Sequence, residues 1–559
     1  MKHCLMAILI AGLFCGTVSA AVAPAHKPNV LLICVDDLKP LLGCYGVPTV
    51  TSPNIDRLAA RGVLFERAFC NQAVCAPSRN ALMTGLRPQT LGIYDLGTNF
   101  RASVPDAVTL AQYFMKNGYR TEALGKIMHV GHGNHEDAAS WSVPHFQAKT
   151  VGYALPENRE KLTREGAMFA NQGGAQSLPR GMPTECADVA DSVYGDGVIA
   201  DEAVRRLAAA KAKPDEPWLI GVGFLKPHLP FCAPKKYWDL YDPASFPLPA
   251  LKTPPQGAPE FAPTTWGELR NYSDMPKIGP LNDAQTRHLI HGYHAAVSYM
   301  DAQLGRVLDA LDRNDLSKNT IIVLWGDHGW HLGDHGMWCK HTNYEQAARL
   351  PLIVVAPGVA QAGAKSGSLV ETVDLYPTLC ELAGLPAPKG LDGASFVGTL
   401  KAPTAKTKDA VFHVYPRSDL MGRAVRTERY RLVEWKKIGA PAESAILELY
   451  DYAADPAETK NLARDKPEVT AQLRALLARQ PETKPQVKVT GSAEKKPKQD
   501  RAEMFAKRDT DKDGQLTREE FLDGQPDPAE APKRFPLFDT DKDGFLSRDE
   551  FITGGKNKK

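Results

Sequence analysis

Continuous apolar runs bounded by polar residues recur along the chain and predict the strands of a buried sheet. The clearest runs are NVLLICV at 29–35, WLIGVGF at 218–224, TIIVLW at 320–325 and LPLIVVAP at 350–357. Strands this apolar are typical of sheets that are covered on both faces. Amphipathic stretches alternate with these runs and predict helices at 109–118, 196–210, 288–311 and 373–383. The alternation predicts an α/β fold.

Acidic and imidazole side chains follow the apolar runs directly. Asp36 and Asp37 end the first run, and Asp327 and His328 come just after the third. Open α/β sheets place ligands beyond the carboxyl ends of their strands, so we expect these four side chains to form one metal site. The alternative is a set of solvated loop residues. His228 follows the second run between two prolines, which restrict its backbone and favour a placed functional side chain.

The pattern changes at about residue 408. Short strands are predicted at 411–415, 423–425, 430–435 and 448–452. We therefore divide the chain into an α/β domain at 27–407 and a smaller, mainly antiparallel subdomain at 408–479. Residues 480–500 are rich in Pro, Lys and Gln and lack apolar periodicity, which predicts a linker.

The last segment, 501–559, contains an internal repeat. DTDKDGQLTREE at 509–520 returns as DTDKDGFLSRDE at 539–550. Carboxylates at loop positions 1, 3 and 5, Gly at 6 and Glu at 12 fit the EF-hand, so we expect an α-helical pair that binds two Ca²⁺ ions. The predicted ligands are Asp509, Asp511, Asp513, Gln515 and Glu520, then Asp539, Asp541, Asp543, Phe545 and Glu550. Gln515 and Phe545 would contribute backbone carbonyls.

The composition is that of an ordinary soluble globular protein, with 43% hydrophobic and 24% charged residues among 559. A formal net charge of +2 gives no overall attraction to polyanions. We therefore expect no nucleic-acid partner, and any anion binding must come from a local cluster of cations.

The N-terminus has the pattern of a signal peptide. A Lys at position 2 precedes an apolar run from 4 to 14, and small residues surround Ala20. The run is too short to span a membrane. We expect residues 1–20 to be removed and the protein to be exported, either to the periplasm or by secretion. Eight of the ten cysteines lie beyond this segment, and their scattered spacing assigns no disulfides.

A cysteine motif indicates which kind of reaction these elements could support. Cys75 opens the stretch CAPSR, which ends at Arg79, and lies at the predicted start of a helix, where backbone N–H groups favour negative charge. The alternative is a buried structural cysteine. With TGLRP at 84–88, the stretch resembles the sulfatase signature, and QAVCAPSR at 72–79 resembles the iduronate-2-sulfatase branch. The resemblance covers roughly 27–480.

This resemblance implies an alkaline-phosphatase-like fold with a large mixed, mainly parallel sheet flanked by helices. It also implies that a maturation enzyme oxidises Cys75 to formylglycine, whose hydrated aldehyde is the nucleophile. Asp36, Asp37, Asp327, His328 and the modified residue 75 would bind one divalent cation. Three carboxylates and an oxygen ligand favour Ca²⁺. Mg²⁺ and Mn²⁺ stay open, because His328 stands where many sulfatases have Asn.

The resemblance also implies roles for the remaining polar residues. Arg79 and Lys126 would add positive charge around the sulfuryl group, and His129, from a Gly-Lys-x-x-His stretch, would steady the formylglycine hydroxyls. His228 and Lys340 would face the leaving oxygen. We assign proton donation to His228, because an imidazole titrates near neutral pH.

The implied activity is hydrolysis of sulfate monoesters in sulfated oligo- or polysaccharides, with a 2-O-sulfated uronic acid at the non-reducing end as the suggested substrate. Two alternatives remain at this stage. A phosphomonoester or phosphonate hydrolase of the same superfamily would use a similar charge cluster. A calcium-dependent binding protein with an inactive sulfatase-like domain would keep the EF-hands and lose the chemistry.

Overall fold

The computed structural model describes residues 27–160, 163–165, 178–488, 501–523 and 531–554. The chain divides into two compact units, Met1–Val487 and Lys488–Lys559. The predicted signal peptide, 1–20, lies outside the described residues, as do residues 489–500 of the predicted linker. Within the described ranges, no helix is both long and apolar enough to cross a membrane.

A central sheet organises the first unit. Its strands are β1 Asn29–Val35, β2 Val63–Phe69, β3 Arg120–Gly125, β4 Trp218–Phe224, β5 Thr320–Gly326, β6 Arg349–Val355 and β7 Ala364–Glu371. They lie side by side in the order β7-β2-β6-β5-β1-β4-β3. β6 runs antiparallel to its neighbours β2 and β5, and the other pairs are parallel. The sheet is therefore mixed and mainly parallel, as predicted.

Helices cover both faces of this sheet. The main helices of the first unit are α1 Pro53–Ala59, α2 Cys75–Thr84, α3 Leu110–Lys116, α4 Gly195–Lys211, α5 Gly267–Arg270, α6 Asp283–Arg313, α7 Leu375–Leu382 and α8 Pro467–Leu477, of which α8 packs on a second sheet described below. Leu31 and Ile33 of β1 belong to the core formed with α1, α4 and α6. Val30 and Leu32 belong to the opposite core, with α2, α3 and α7. Both faces of β1 are buried, which explains its uninterrupted apolar run.

Shorter elements connect these layers. Helical turns occur at Pro88–Leu91, Pro156–Glu160, Lys235–Trp238, Glu345–Ala348 and Val397–Lys401. Short strand pairs join Thr163–Glu165 to Leu178–Arg180, Thr184–Ala187 to Phe231–Pro234, and His331–Leu332 to Trp338–Cys339. The eight cysteines of the described residues are free thiols.

A second, smaller sheet follows in the same unit. Its strands are β8 Ala410–Arg417, β9 Leu420–Thr427, β10 Tyr430–Lys436 and β11 Ile446–Asp451, paired antiparallel in chain order. Phe412, Leu432 and Leu449 form an apolar core with Leu473 and Leu477 of α8. The structure thus contains the antiparallel C-terminal sheet that the change in pattern predicted.

The segment 480–487 differs from the prediction of a linker that begins at 480. The Tyr94 hydroxyl donates a hydrogen bond to the Lys484 carbonyl over 2.6 Å, and the Val487 N–H donates to the Gly92 carbonyl over 2.8 Å. Glu482 forms ion pairs with Arg423 and with Lys436. These contacts join the segment to the first unit, which extends to Val487.

The second unit is helical. Its elements are α9 Arg501–Arg508, β12 Gln515–Leu516, α10 Arg518–Leu522, α11 Ala531–Phe538, β13 Leu546–Ser547 and α12 Arg548–Thr553. β12 and β13 pair antiparallel through Leu516 and Leu546. Phe505, Phe521 and Phe551 pack around these two leucines. The repeat therefore forms one paired module with its own small core.

Candidate active site and calcium-binding loops

Cys75 is the first residue of α2 and lies in a buried position. Val74 before it is extended, and every side chain from Cys75 to Thr84 is buried. The Ser78 hydroxyl donates a 2.5 Å hydrogen bond to the Asp327 carbonyl, which ties the first turn of α2 to the end of β5. As a result the Cys75 Sγ atom lies 3.5 Å from Nε2 of His328. Burial raises the pKa of the Cys75 thiol well above its usual value, which makes the free thiol a poor nucleophile here.

Three carboxylates converge beside Cys75. Asp36 and Asp37 follow β1, and Asp327 follows the adjacent parallel strand β5. One oxygen of each lies within 4.8 Å of the others, and each side chain is at most 1% exposed. The Asp37 backbone N–H donates to Oδ1 of Asp327 over 3.0 Å. The structure therefore brings together the acidic residues that the sequence assigned to a metal.

His328 completes this acidic centre in a way that fits a cation. Its Nδ1 lies 2.9 Å from the Gly329 carbonyl and donates to it. Its Nε2 lies 3.4 Å from Asp37 Oδ1 and 3.6 Å from Asp327 Oδ1. Held in this way, Nε2 faces an oxygen of each aspartate, and a cation placed among these three atoms would be attracted to all of them. Asp36, Asp37, Asp327 and His328 thus fit a divalent metal ion.

Arg79 contacts the carboxylates of Asp36 and Asp327 but does not line the cavity that they adjoin. Its Nε donates to Asp327 over 3.1 Å, and one Nη donates to Asp36 over 3.1 Å. The other Nη donates to the carbonyls of Lys126 and Ile127. The guanidinium is fully buried, and protein acceptors occupy all of its directions. Arg79 therefore positions the acidic centre, whereas the resemblance implied a charge that faces the sulfuryl group.

Lys126 and His129 enter the site from the loop after β3. The Lys126 ammonium forms an ion pair with Asp36. His129 places Nε2 3.1 Å from Nδ1 of His132. Its own Nδ1 is buried and has no hydrogen-bond partner within the described part of the chain. Burial, together with the nearby Lys126 charge, lowers the pKa of His129 well below its usual value, so its ring is neutral at pH 7.

Lys340, His228 and Glu268 form the opposite wall. The Lys340 Nζ lies 3.0 Å from both carboxylate oxygens of Asp37 and 3.0 Å from Glu268 Oε2. His228 Nε2 lies 3.1 Å from Glu268 Oε1. Burial disfavours the Lys340 ammonium, but Asp37 and Glu268 outweigh it and raise the pKa of Lys340 well above its usual value. Sequence reasoning missed Glu268, because residues 259–270 carry no motif and no apolar period.

A single cavity of about 380 Å³ collects these groups, and its volume is in the range of small-ligand sites. The polar residues that line it include Cys75, Lys126, His129, His228, Glu268 and Lys340. Apolar side chains, among them Leu96, Met128 and Val130, form part of the wall. Five of the six predicted catalytic residues therefore share one cavity, and Arg79 lies outside its lining.

The two loops of the second unit have the backbone of calcium-binding loops. Gly514 and Gly544, at position 6, have φ of 86° and 88°, which only glycine adopts readily. Oxygens of Asp509, Asp511 and Glu520 lie within 4.8 Å of one another. Hydrogen bonds from Thr510 and Thr517 hold the Glu520 carboxylate and lower its pKa to about 2. The first loop therefore presents several carboxylates to a shared centre.

The second loop repeats these contacts. Thr540 and Ser547 donate to the Glu550 carboxylate, and the Gly544 N–H donates to Asp539. The Asp543 N–H donates to Asp541 over 3.2 Å. Gln515 and Phe545 occupy position 7 of their loops, where a backbone carbonyl is the usual ligand.

Three family profiles match parts of this chain. The sulfatase family profile matches residues 28–385, the profile of the N-sulphoglucosamine sulphohydrolase C-terminal region matches 333–483, and the EF-hand profile matches 501–523 and 533–554. Iduronate 2-sulfatase of Mus musculus is 37% identical over 417 residues, which cover 68% of this chain and 73% of the relative.

Two solved structures show the same fold. A 2-O GAG sulfatase aligns with a TM-score of 0.59 and 25% identity, covering 81% of this chain and 92% of the other. A phosphonate monoester hydrolase from Silicibacter pomeroyi aligns with a TM-score of 0.64 and 22% identity, covering 81% and 95%. The sulfatase profile and the iduronate 2-sulfatase relative show that the chain is a sulfuric ester hydrolase. The chain belongs to the sulfatase family and carries a C-terminal pair of EF-hands, as its sequence motifs predicted.

Proposed function

We propose that the protein is an exported, formylglycine-dependent sulfatase that removes a 2-O-sulfate from a uronic acid at the non-reducing end of a sulfated glycan. The observation that carries this proposal is the position of Cys75. It starts α2 inside the cavity, 3.5 Å from His328 and beside three buried carboxylates. The relative named iduronate 2-sulfatase and the solved 2-O GAG sulfatase support the substrate class.

The nucleophile requires a maturation enzyme that oxidises Cys75 to formylglycine. The hydrated aldehyde supplies two hydroxyls on one carbon, one to attack sulfur and one whose deprotonation expels sulfate. The N-terminus of α2 favours the negative charge that develops at this position. Nδ1 of His129, which is buried without a partner in the described structure, is available to orient a hydroxyl there.

The acidic centre would hold the metal. Asp36, Asp37, Asp327 and His328 are its ligands in our proposal, and three carboxylates favour Ca²⁺, with Mg²⁺ and Mn²⁺ open. A bound divalent ion supplies Lewis acidity toward the ester oxygens. Arg79 holds Asp36 and Asp327 in place from behind.

The remaining cations act on the sulfate ester itself. Lys126 lines the cavity and provides positive charge for the sulfuryl oxygens, and Lys340 lines it on the side of the leaving oxygen. His228 donates through Nδ1 to the Leu229 carbonyl over 2.6 Å, which leaves Nε2 on the side of Glu268 and Asp37. In the protonated imidazole, that Nε2–H is the proton donor to the leaving oxygen.

The test is turnover of a panel of defined sulfated oligosaccharides by protein produced with a formylglycine-generating enzyme. We expect release of the 2-O-sulfate from a terminal uronic acid, with formylglycine at position 75 by peptide mass analysis. Phosphate and phosphonate monoesters are assayed beside the sulfate esters. Faster turnover of a phosphorus ester, or full activity with unmodified Cys75, would overturn the proposal.

A further inference from the structure

A buried carboxylate that the proposed mechanism does not use lies between the two groups at the leaving-oxygen side. Glu268 is 4% exposed and lines the cavity. Its Oε1 is 3.1 Å from His228 Nε2 and 3.2 Å from Lys340 Nζ, and its Oε2 is 3.0 Å from Lys340 Nζ. One side chain therefore contacts both candidate donors.

The backbone around Glu268 is fixed in place. α5 begins after Trp266, which has a left-handed φ of 46°. The guanidinium of Arg270 lies 3.3 Å from the centre of the Trp266 ring and donates to the carbonyls of Thr265, Pro276 and Gly279. Leu269 is buried in the main core. The segment thus holds Glu268 in the cavity wall by packing and hydrogen bonds on both sides of it.

Charge explains why a carboxylate belongs at this point. The Lys340 ammonium contacts Asp37 as well as Glu268, and Asp37 Oδ2 lies 3.8 Å from His228 Nε2. In the proposed mechanism Asp37 is a metal ligand, so its charge is shared with the cation. Glu268 is then the negative charge that keeps Lys340 and His228 together. Removing one partner of a buried ion pair leaves the other charge uncompensated, which is strongly unfavourable.

We propose that Glu268 is a positioning residue that holds Lys340 and His228 side by side at the leaving oxygen of the substrate. This inference rests on the proposed sulfatase function. It assigns Glu268 no contact with the reacting atoms. Glu268 affects kcat only by positioning Lys340 and His228. The effect is therefore largest for substrates whose leaving group depends most on proton donation.

The test uses Glu268→Gln, which keeps the shape and removes the charge, with Glu268→Asp as the charged variant. Glu122→Gln is the matched control, because Glu122 is also a buried glutamate between two cations, Arg120 and Arg206, and lines a different groove. Each protein is compared at equal formylglycine content by peptide mass analysis. kcat and KM are measured on the preferred sugar sulfate and on 4-nitrophenyl sulfate, whose leaving group needs no proton.

For Glu268→Gln we expect kcat on the sugar sulfate to fall about 10²-fold, with KM within about 3-fold, and kcat on 4-nitrophenyl sulfate to stay within about 3-fold. Glu268→Asp recovers about tenfold of the lost kcat, and Glu122→Gln changes neither substrate.

Equal losses on both substrates, a change in KM alone, or no recovery by Asp would overturn the inference while leaving the sulfatase function intact. If the wild-type protein turns over the sugar sulfate but not 4-nitrophenyl sulfate, two results on the sugar sulfate decide whether the inference holds. These are a loss of kcat without a change in KM for Glu268→Gln, and the recovery of kcat in Glu268→Asp. If Glu268→Gln does not fold, Glu268→Asp is compared with wild type, and an equal loss on both substrates again overturns the inference. Wild-type protein that hydrolyses no sulfate ester would instead overturn the proposed function, and the inference with it.

Discussion

The Sγ atom of Cys75 lies 3.5 Å from Nε2 of His328, although 253 residues separate them in the chain. Two local features produce this contact. β1 and β5 are adjacent and parallel, so their carboxyl ends meet, and the Ser78 hydroxyl ties α2 to the Asp327 carbonyl. The proposed nucleophile and the proposed metal ligands are therefore held by the same junction of strand and helix.

Replacing Cys75 with Ala should abolish sulfate ester turnover and leave the fold intact. The side chain is small and buried, and an alanine methyl group has no thiol that could be oxidised to the aldehyde. Thermal unfolding and kcat on a sulfate ester are the two measurements. A Cys75→Ala protein that retains more than a trace of turnover would contradict the assigned nucleophile.

Arg79→Met should destabilise the protein by roughly 3–5 kcal/mol when no metal is added, because the change leaves two buried carboxylates without their shared counter-charge. Asp36 and Asp327 both accept from Arg79. Saturating Ca²⁺ should restore part of the loss, since an ion that binds the folded state stabilises it. Urea unfolding with and without Ca²⁺ checks both points, and an unchanged stability would show that Arg79 does not position the acidic centre.

Lys126→Ala should lower kcat on the order of 10²–10³-fold, the usual effect of removing one preorganised charge-stabilising donor. Lys126 lines the cavity and pairs with Asp36. Lys211→Ala, an exposed lysine paired with Asp315, serves as the control. Steady-state kinetics on one sulfate ester measure both variants. Similar kcat values for the two would remove Lys126 from the proposed mechanism.

Glu371 should make the free energy of unfolding depend on pH in the acidic range. Burial opposes its charge, but Arg87 and Lys408 dominate and hold its pKa at about 2, below the usual value of 4.5. A carboxyl group whose pKa is lowered by folding stabilises the folded state above about pH 4.5. This contribution to the free energy of unfolding is lost as the pH falls toward 2. We expect the urea midpoint of Glu371→Gln to fall less steeply across that window than that of the wild type. Parallel curves for the two proteins would contradict this assignment.

Much of the site was predictable because buried strands carry a strong signal. The apolar runs before Asp36 and Asp327 predicted where these strands end, and parallel pairing then brought the carboxylates together. Glu268 was missed because its position depends on how Trp266 and Arg270 fix an irregular segment, which no periodicity reports. The role of Arg79 was missed for a related reason: a motif names a residue but does not say which acceptors surround it.

The start of the linker was also wrongly predicted, because the sequence pattern does not reveal isolated contacts. A composition rich in Pro and Lys predicted an unstructured segment from 480, yet residues 484–487 hydrogen-bond to Gly92 and Tyr94. These are contacts of backbone and of single side chains, so apolar patterning does not reveal them. A truncation intended to remove only the EF-hands must therefore end after Lys488 and not at Gln480.

Truncation after Lys488 should leave kcat on a small sulfate ester within a few-fold of the full-length value. The first unit ends at Val487 and contains every residue that lines the cavity. The loops of the second unit present carboxylates and no cluster of cations to a sulfate ester. We assign the EF-hand pair to calcium-dependent attachment or stability, with a Kd of about 10⁻⁴–10⁻³ M, the range of extracellular EF-hand modules.

Truncation at Gln480 is the contrasting variant. It removes Glu482, which pairs with Arg423 and Lys436, and the segment that binds Gly92 and Tyr94. We expect it to unfold at a lower temperature than the protein truncated after Lys488, whatever the calcium concentration, because the lost contacts belong to the first unit. Thermal unfolding of both truncated proteins and kinetics on one sulfate ester make the comparison. A folded protein that ends at Lys488 and has lost its turnover would show that the EF-hand pair contributes to the active site.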